Sequence, residues 1–275
     1  MNTKVREIRL RVVTLLTDFG LRDAYVAQMK AVILSICPEA QIVDITHQVE
    51  RFNISMGALI LAQSAPLFPE GTVHVAVVDP GVGTGRRPIV VATRRSLLVG
   101  PDNGLLAVAA EREGVEHVYH ITNKRVMRAE VSSTFHGRDV FAPAAAHLAR
   151  GLRPEEVGEE VKDYVRLSFE PAHVAGGVAT LRILYVDSFG NAVTNLGYEA
   201  FSSFGVRFGE ELVVDWRRGR VRALYSPAYF PEGRILLVRG SQGLMELSLG
   251  RGSLADRLGA GAGDVLTIRR AESCR

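Results

Sequence analysis

The sequence predicts an α/β protein with two domains: a Rossmann-like α/β/α domain at residues 1–170 and a small antiparallel β-barrel or sandwich at residues 171–275. Three observations predict this. Short apolar runs alternate with helical patterns in the first half, the composition changes near residues 165–176, and short alternating strands dominate afterwards. At 275 residues, the chain is long enough for one large domain or two smaller ones with sizeable cores.

The first half predicts a largely parallel sheet covered by helices on both faces. Strands are predicted where β-branched or apolar runs are bounded by turn residues, at residues 12–16, 41–45, 73–78, 89–93 and 96–99. Apolar spacing near 3.6 residues predicts helices at 23–36 and 54–65, each followed by a proline that stops it. Sites in such sheets lie at the carboxyl ends of strands, where Asp18 and Asp79 fall.

The second half begins with a charged segment, RPEEVGEEVKD, and a connector, PAHVAGG. Strands are then predicted at VATLRILYVD, NAVTNL, EELVVDW, RVRALY, RILLVRG and DVLTIRR. These segments alternate apolar and polar residues over short lengths and are separated by Gly or Pro turns. That pattern is typical of a small antiparallel barrel or sandwich.

Composition excludes several functional classes. The net charge is only +3 and is spread along the chain, and no basic tract is interleaved with aromatics, so nucleic-acid binding is not expected. No apolar run approaches the roughly 20 residues of a membrane span, and the N-terminus is charged, so we expect a cytoplasmic protein. Cys37 and Cys274 lie far apart in sequence and predict neither a disulfide nor a thiolate metal site.

Three chemically different side chains form the strongest functional signal: Asp79 and Arg86 in VVDPGVGTGRR, and His136 in STFHGRD. An acid, a permanent cation and an imidazole beside glycines indicate catalytic loops that a ligand can approach closely. Each residue also has an ordinary interpretation. Asp79 could cap a turn before Pro-Gly, Arg86 could be a solvated cation, and His136 could be structural.

Other motifs carry further polar residues. VVTLLTDFGLRDAYV places Asp18 and Asp23 after an apolar run, and LLVGPDNGLL places Asp102 and Asn103 after another. Both aspartates of the first motif could instead be helix N-terminal acids. The GVGTG segment lacks the Lys-Ser/Thr of a phosphate-binding loop, and no HExxH-type spacing predicts a metal site.

Taken together, these motifs resemble the S-adenosylmethionine hydrolase family, also called the hydroxide adenosyltransferases, which is similar in fold to the fluorinase and chlorinase enzymes. DSFGN at residues 187–191 and GSQGLMELSLGRGS at residues 240–253 extend the resemblance, which runs from about residue 12 to about residue 268. It implies hydrolysis of S-adenosyl-L-methionine to adenosine and L-methionine, by in-line attack of activated water or hydroxide on the ribose 5′ carbon. It implies no metal and no cofactor.

The resemblance also implies a role for individual residues. Asp79, Arg86 and His136 would be catalytic, and the substrate-binding residues would be Asp18, Asn103, Asp187, Phe189, Asn191, Ser241, Glu246 and Leu249. Within this set, Asp18 would bind the ribose hydroxyls, and Phe189 would supply a stacking face for adenosine. The ordinary alternative for DSFGN is a β-turn, and both interpretations can hold together.

The family resemblance also implies an oligomeric state and the identity of the nucleophile. Family members look like trimers with the site between the first domain of one subunit and the second domain of the next. The related halogenases lack the acid, arginine and histidine trio, and Gly137 stands where the fluorinase has its halide-binding serine. Two other functions stay open from the sequence: a non-catalytic adenosine or S-adenosylmethionine binding protein, and a metal-assisted phosphoester hydrolase.

Overall fold

A seven-stranded sheet forms the centre of the N-terminal part of the chain in this computed structural model, which describes residues 11–217 and 219–271. Its strands are β1 (Val12–Thr17), β2 (Gln41–Thr46), β3 (Val73–Val77), β4 (Pro88–Thr93), β5 (Leu97–Pro101), β6 (Val115–Ile121) and β7 (Gly158–Glu160). Their spatial order is β2-β1-β3-β5-β4-β6-β7. The chain divides into two compact units, and the sheet belongs to the first of them, unit 1, which ends at Ser168.

The sheet is mixed: the expected parallel arrangement holds for the first four strands in spatial order, and the remaining three strands pair antiparallel. Strands β2, β1, β3 and β5 run parallel to one another, whereas β4 pairs antiparallel with β5 and β6, and β7 pairs antiparallel with β6. The physical reason is the length of one connection. Only residues 94–96 join β4 to β5, and parallel neighbours need a crossover of about a dozen residues or more.

Four helices cover the two faces of this sheet: α1 (Tyr25–Ile36), α2 (Ile54–Ser64), α3 (Ala107–Glu113) and α4 (Ala142–Ala149). Helices α1 and α4 contact each other, and Met29 and Leu148 share a buried cluster with Leu15. Helices α2 and α3 contact each other, and Leu61 shares a second cluster with Leu16. Because successive side chains of a strand point to opposite faces, one helix pair lies on each face.

The parallel strands place their following loops at one edge of the sheet. Thr17, the last residue of β1, pairs with Val77, the last residue of β3. Strand β5 runs parallel to β3 and ends at Pro101. The loops that begin after these three strands therefore leave the sheet together, as expected for an α/β site.

Unit 2 begins at Phe169 and contains a closed seven-stranded barrel. The strands of the unit are β8 (His173–Ala175), β9 (Val178–Val186), β10 (Ala192–Gly197), β11 (Glu211–Trp216), β12 (Gly219–Ser226), β13 (Ile235–Arg239), β14 (Leu244–Leu249) and β15 (Val265–Arg270). The barrel runs β10-β14-β13-β12-β11-β15-β9, and the pairing of β9 with β10 closes it. All its pairings are antiparallel except that of β12 with β13.

Two short helices complete unit 2: α5 (Tyr198–Ser202) and α6 (Leu254–Leu258). The barrel interior is apolar, and Leu212, Leu247 and Ile268 are almost fully buried in it. Among the described residues, no helix combines the length and apolar character that crossing a membrane requires. Cys37 is a buried free thiol at the end of α1, and Cys274 lies outside the described residues.

Candidate active site

The loop that connects β3 to β4 carries two of the three candidate catalytic residues, Asp79 and Arg86. Gly83 in this loop has a φ of 77°, and its lack of a Cβ lets the loop lie directly against the backbone carbonyl of Ser133. Ser133 belongs to the segment that precedes His136. This close backbone contact therefore brings the third candidate residue to the same place.

The three candidate side chains form one hydrogen-bonded group with Arg86 in the middle. Arg86 Nε donates to both carboxylate oxygens of Asp79, at 2.9 and 3.0 Å, and Arg86 Nη2 pairs with Asp79 Oδ2. The same Nη2 lies 3.0 Å from Nδ1 of His136. The structure thus brings together residues separated by as many as 57 positions, counted from 79 to 136.

Burial strengthens the electrostatic interaction between Arg86 and Asp79, because water screens their charges only weakly. The side chains of Arg86 and Asp79 are only 9% and 5% exposed. Arg86 Cζ lies 5.2 Å from the centroid of the Phe141 ring, a distance suited to a cation–π interaction. Arg86 Nη1 is buried and has no hydrogen-bond partner among the described residues. A buried cation with an unused N–H donor attracts an anion or a lone pair.

His136 is held in its neutral form near neutral pH. Burial lowers the pKa of His136 below its ordinary value, and the Arg86 charge lowers it further, against smaller opposing effects of Asp79 and Asp139. A neutral imidazole carries one N–H donor and one acceptor nitrogen. The group therefore contains an ion pair and an uncharged imidazole.

Asp139 is a buried carboxylate that fixes the segment around His136, and the sequence analysis missed it. Asp139 accepts hydrogen bonds from Arg138 at 2.7 and 2.9 Å and from the backbone N–H of Ser132 at 2.9 Å. Arg128 adds an ion pair at 3.4 Å. The only signal in the sequence was an acid next to an arginine in STFHGRD, which local spacing does not distinguish from a surface pair.

Asp102 anchors the far end of the loop between β3 and β4. Its side chain is 3% exposed and accepts hydrogen bonds from Arg87 Nε at 2.9 Å and Arg87 Nη2 at 2.6 Å. Its second oxygen accepts from the backbone N–H of Val165 at 2.7 Å. Arg87 also contacts the exposed carboxylate of Asp163 at 3.0 Å. Arg87 follows Arg86 directly, so this network fixes the backbone next to the candidate catalytic arginine.

Asn103 uses its side chain within the fold. Its Nδ2 donates to the carbonyl of Val78 at 2.9 Å, and its Oδ1 accepts from the backbone N–H of Leu105 at 3.1 Å. These bonds tie the loop after β5 to the end of β3. Its predicted contact with substrate stays a prediction.

Asp18 lies at the carboxyl end of β1, on the edge of the sheet from which the catalytic loop leaves. Its Oδ2 accepts a hydrogen bond from the backbone N–H of Phe52 at 2.9 Å. Phe52 has a φ of 64°, which is uncommon for a bulky residue, and its ring is 68% exposed. Asp18 therefore fixes the backbone at Phe52, and nothing in the sequence pattern had pointed to this residue.

Aromatic side chains form a wall beside His136. The ring centroids of Phe19 and Tyr25 lie 5.7 and 5.1 Å from that of Phe135, the neighbour of His136. An added Cβ at Gly137 would lie 3.2–3.3 Å from atoms of Phe135, Phe19 and Met29. A glycine at position 137 therefore lets this wall approach the backbone closely.

The remaining predicted residues belong to unit 2, where Asp187 organises a tight turn. Asp187 Oδ1 accepts from the backbone N–H groups of Phe189 and Asn191 at 2.9 and 2.8 Å, and Oδ2 accepts from Asn191 Nδ2 at 2.9 Å. Gly190 has a φ of 80° in this turn. The turn alternative is therefore correct, and it leaves the Phe189 ring 77% exposed.

A pocket of about 540 Å³ opens beside this turn within unit 2. It is lined by Asp187, Phe189, Asn191, Tyr229, Leu249, Arg251 and Gly252. Four of these were singled out in the sequence as substrate contacts, and Tyr229 and Arg251 were not. An aromatic rim with a few polar groups is the usual lining of a small-molecule site.

Glu246 is connected to this pocket through Tyr229, whose hydroxyl donates to Glu246 Oε2 at 2.8 Å. Burial raises the pKa of Glu246 above its ordinary value, the Tyr229 hydrogen bond opposes this rise, and the charge of Asp187 adds to it. Ser241 is exposed and lies outside the lining of the pocket. Its predicted contact with substrate stays a prediction.

Across residues 11–217 and 219–271, no cluster of three or more His, Cys, Asp or Glu side chains is arranged as a metal site. The described chain therefore presents two clusters of candidate residues. The first is the Asp79, Arg86 and His136 group of unit 1, and the second is the aromatic pocket of unit 2.

Comparison with known proteins finds matching family models for both the N-terminal and the C-terminal part of the chain. The family model described as SAM hydroxide adenosyltransferase N-terminal domain matches residues 13–158, and the corresponding C-terminal domain model matches residues 181–267. The (R)-S-adenosyl-L-methionine hydrolase of Salinispora tropica is 39% identical over 255 residues, covering 92% of this chain and 95% of that protein.

A more distant relative and a solved structure extend the comparison. A fluorinase from an Actinoplanes species is 30% identical over 228 residues, covering 73% of this chain and 76% of that protein. The crystal structure of an uncharacterized conserved protein from Thermotoga maritima superposes with a TM-score of 0.89 at 38% identity, covering 94% of this chain and all of that one.

Proposed function

Because the chain belongs to the SAM hydroxide adenosyltransferase family, we propose that it hydrolyses S-adenosyl-L-methionine to adenosine and L-methionine. The observation that carries this proposal is the match to curated hydrolases, at up to 39% identity over more than 90% of both chains. The buried group formed by Asp79, Arg86 and His136 supplies the chemical equipment.

The reaction requires an activated oxygen nucleophile. S-adenosyl-L-methionine is a sulfonium cation, and attack on its 5′ carbon expels neutral methionine. Bulk water has a pKa of about 15.7, so hydroxide is scarce at neutral pH unless a cation favours deprotonation. Arg86 is permanently charged, almost fully buried, and has an unused N–H donor among the described residues. These properties support a role for Arg86 in stabilising such an oxygen.

Positioning contributes as much as activation. Fixing a nucleophile in line with the breaking bond contributes about 7–11 kcal/mol to catalysis. Asp79 and His136 are the groups of the trio that can accept the proton of the water, alone or as a coupled pair. Their contacts to Arg86 hold both side chains in one arrangement.

Substrate binding is proposed for residues of both units. Asp18 binds the ribose hydroxyls with a carboxylate whose Oδ2 also accepts from the backbone N–H of Phe52. In unit 2 the pocket of about 540 Å³ receives the adenosine moiety, with Phe189 as a stacking face and Asn191 as an amide partner. Asn103, Asp187, Ser241, Glu246 and Leu249 complete the proposed set, and Tyr229 and Arg251 join it from the pocket lining.

We extend the proposal to the protein's state in the cell. The resemblance to the family supports a homotrimer, metal-independent turnover without a cofactor, and a cytoplasmic location. Light scattering of the purified protein tests the trimer, since a monomer or dimer at assay concentration contradicts it. Activity after exhaustive chelation tests metal independence.

The decisive experiment is chromatography of chelator-treated protein incubated with S-adenosyl-L-methionine, in halide-free buffer and again with chloride. Equal amounts of adenosine and methionine in both buffers are the expected result. Tight binding of the substrate without any product would favour the second candidate, a non-catalytic binding protein. A chlorinated nucleoside in the chloride buffer would place the chain with the halogenating relatives.

A further inference from the structure

The geometry points to an Nε2-protonated His136, and we infer that this residue holds the attacking oxygen as a hydrogen-bond donor instead of taking its proton. The inference rests on the proposed hydrolysis and assigns separate tasks to the trio. Asp79 becomes the proton acceptor, and Arg86 and His136 become the donors that hold the nucleophile.

The contact between Arg86 and His136 determines where the imidazole proton lies. Arg86 Nη2 and His136 Nδ1 are 3.0 Å apart. A guanidinium has only N–H donors and does not lose its proton in a protein. The lone pair must therefore belong to Nδ1 of His136. A neutral imidazole has a single N–H, which places the proton on Nε2.

The doubly protonated imidazole does not fit this contact. An N–H on Nδ1 would face the N–H of Arg86, so two donors and two positive charges would meet at 3.0 Å. Three charged groups act on the ring: Arg86 disfavours its positive charge, and Asp79 and Asp139 favour it less strongly. Burial lowers the pKa of the ring more than the Arg86 charge does, so the ring stays neutral near neutral pH.

A donor at Nε2 cannot also receive the proton of the water. Taking a proton at Nδ1 would break the bond to Arg86. Asp79 is then the only member of the trio with free lone pairs, because a carboxylate has about four acceptor positions and Arg86 occupies three contacts. Arg86 Nη1, which is buried and has no partner among residues 11–217 and 219–271, provides a second donor for the same oxygen.

The attack on the 5′ carbon breaks two bonds and forms two. The water O–H bond breaks and its proton goes to an Asp79 carboxylate oxygen, while the oxygen lone pair forms the bond to the 5′ carbon. The bond from the 5′ carbon to sulfur breaks, and its electron pair stays on sulfur as the neutral thioether of methionine. Asp79 returns its proton to solvent after the products leave.

The first test reads the tautomer directly and needs no turnover. Long-range ¹H–¹⁵N spectra of the full-length protein with ¹⁵N-labelled histidine report which ring nitrogen is protonated, and the signal lost in His136→Gln identifies the residue. We expect an unprotonated Nδ1 and a protonated Nε2 at neutral pH. A protonated Nδ1 would overturn the inference, even in a fully active hydrolase.

The second test compares two amides. In His136→Gln the amide N–H₂ can reach the Nε2 position, whereas in His136→Asn the amide reaches only the Nδ1 position. Neither amide can take a proton. Removing a donor to a charged oxygen costs about 100-fold or more in kcat, so we expect that loss in the Asn variant and at least about tenfold more activity in the Gln variant.

Controls separate this inference from the proposed function. His117→Gln changes an exposed histidine that pairs with Glu160, and it should keep wild-type kcat. Equal loss in the Gln and Asn variants, with substrate affinity retained by calorimetry, would show that His136 acts as the base. A wild-type protein that makes no product would refute the hydrolysis, and the tautomer measured by NMR would still decide the Nε2–H assignment.

Discussion

Gly83 lies so close to the backbone carbonyl of Ser133 that a Cβ on this glycine would overlap the carbonyl oxygen. The contact joins the loop that carries Asp79 and Arg86 to the segment that carries His136. The φ of 77° at Gly83 adds a second requirement for glycine. A backbone contact outside the trio thus joins the two segments across which Arg86 Nη2 and His136 Nδ1 lie 3.0 Å apart.

We therefore predict that Gly83→Ala lowers kcat at least about tenfold, because the two segments must separate. Strain at a positive φ adds about 1–3 kcal/mol of destabilisation. Gly85→Ala is the matched control, since Gly85 has open space at its Cβ position and no positive φ. Activity assays and thermal unfolding of both variants test this. Equal effects of the two substitutions would contradict the prediction.

The network around Asp102 predicts a loss of stability. In Asp102→Ala, the guanidinium of Arg87 and the N–H of Val165 lose a partner whose side chain is 3% exposed. Arg87 is 29% exposed and keeps its contact to Asp163, whereas the N–H of Val165 loses its acceptor, so we expect a loss of about 1–3 kcal/mol, which denaturant unfolding measures. Asp163→Ala removes an 84% exposed partner of Arg87 and should change stability by less than about 1 kcal/mol. A larger loss of stability in Asp163→Ala than in Asp102→Ala would show that Asp163 is the main partner of Arg87.

Much of the fold follows from sequence periodicity, and the failures have physical causes. The β-branched runs located β1 to β5, since local pattern determines a strand. Whether two neighbouring strands run parallel or antiparallel depends on the length of the connection between them. The short turn at residues 94–96 makes β4 and β5 antiparallel. The segment GSQGLMELSLGRGS was read only as a binding motif, yet it contains β14, whose pairing with β10 and β13 is non-local.

Some residues of the candidate site could be predicted from the sequence, and others could not. Asp79, Arg86 and His136 stand in glycine-rich motifs, so residue type and context identified them before their contacts were known. The supporting acids Asp102 and Asp139 are ordinary in sequence, and their importance comes from burial. Tyr229 was missed because its contact to Glu246 crosses 17 residues in an irregular segment.

Arg86 also predicts the direction of a pKa change. Burial and the Arg86 charge together lower the pKa of His136, so removing the charge in Arg86→Gln should raise it. The loss of Arg86 also leaves the Asp79 charge unbalanced, which acts in the same direction. An NMR titration of the His136 ring measures both proteins. A pKa that stays the same or falls in the variant would show that Arg86 does not act on His136 electrostatically.

Glu246 predicts the pH dependence of stability in unit 2. Its folded-state pKa is raised, chiefly by burial, so its contribution to stability is complete below the unfolded-state pKa and is lost as pH rises through the folded-state value. Glu246→Gln does not titrate. Its melting temperature relative to wild type should therefore increase as the pH rises above the ordinary glutamate pKa of about 4.3.

Two further variants make the Glu246 test specific. Tyr229→Phe removes the hydrogen bond that lowers this pKa, so the pH at which stability declines should move upward. Glu199→Gln changes an exposed glutamate of α5 and should leave the melting temperature unchanged across the same range. Thermal unfolding without ligand measures all four proteins. Parallel pH profiles for wild type and Glu246→Gln would mean that water reaches this carboxylate freely, and the pocket beside Tyr229 would then be more open than its contacts indicate.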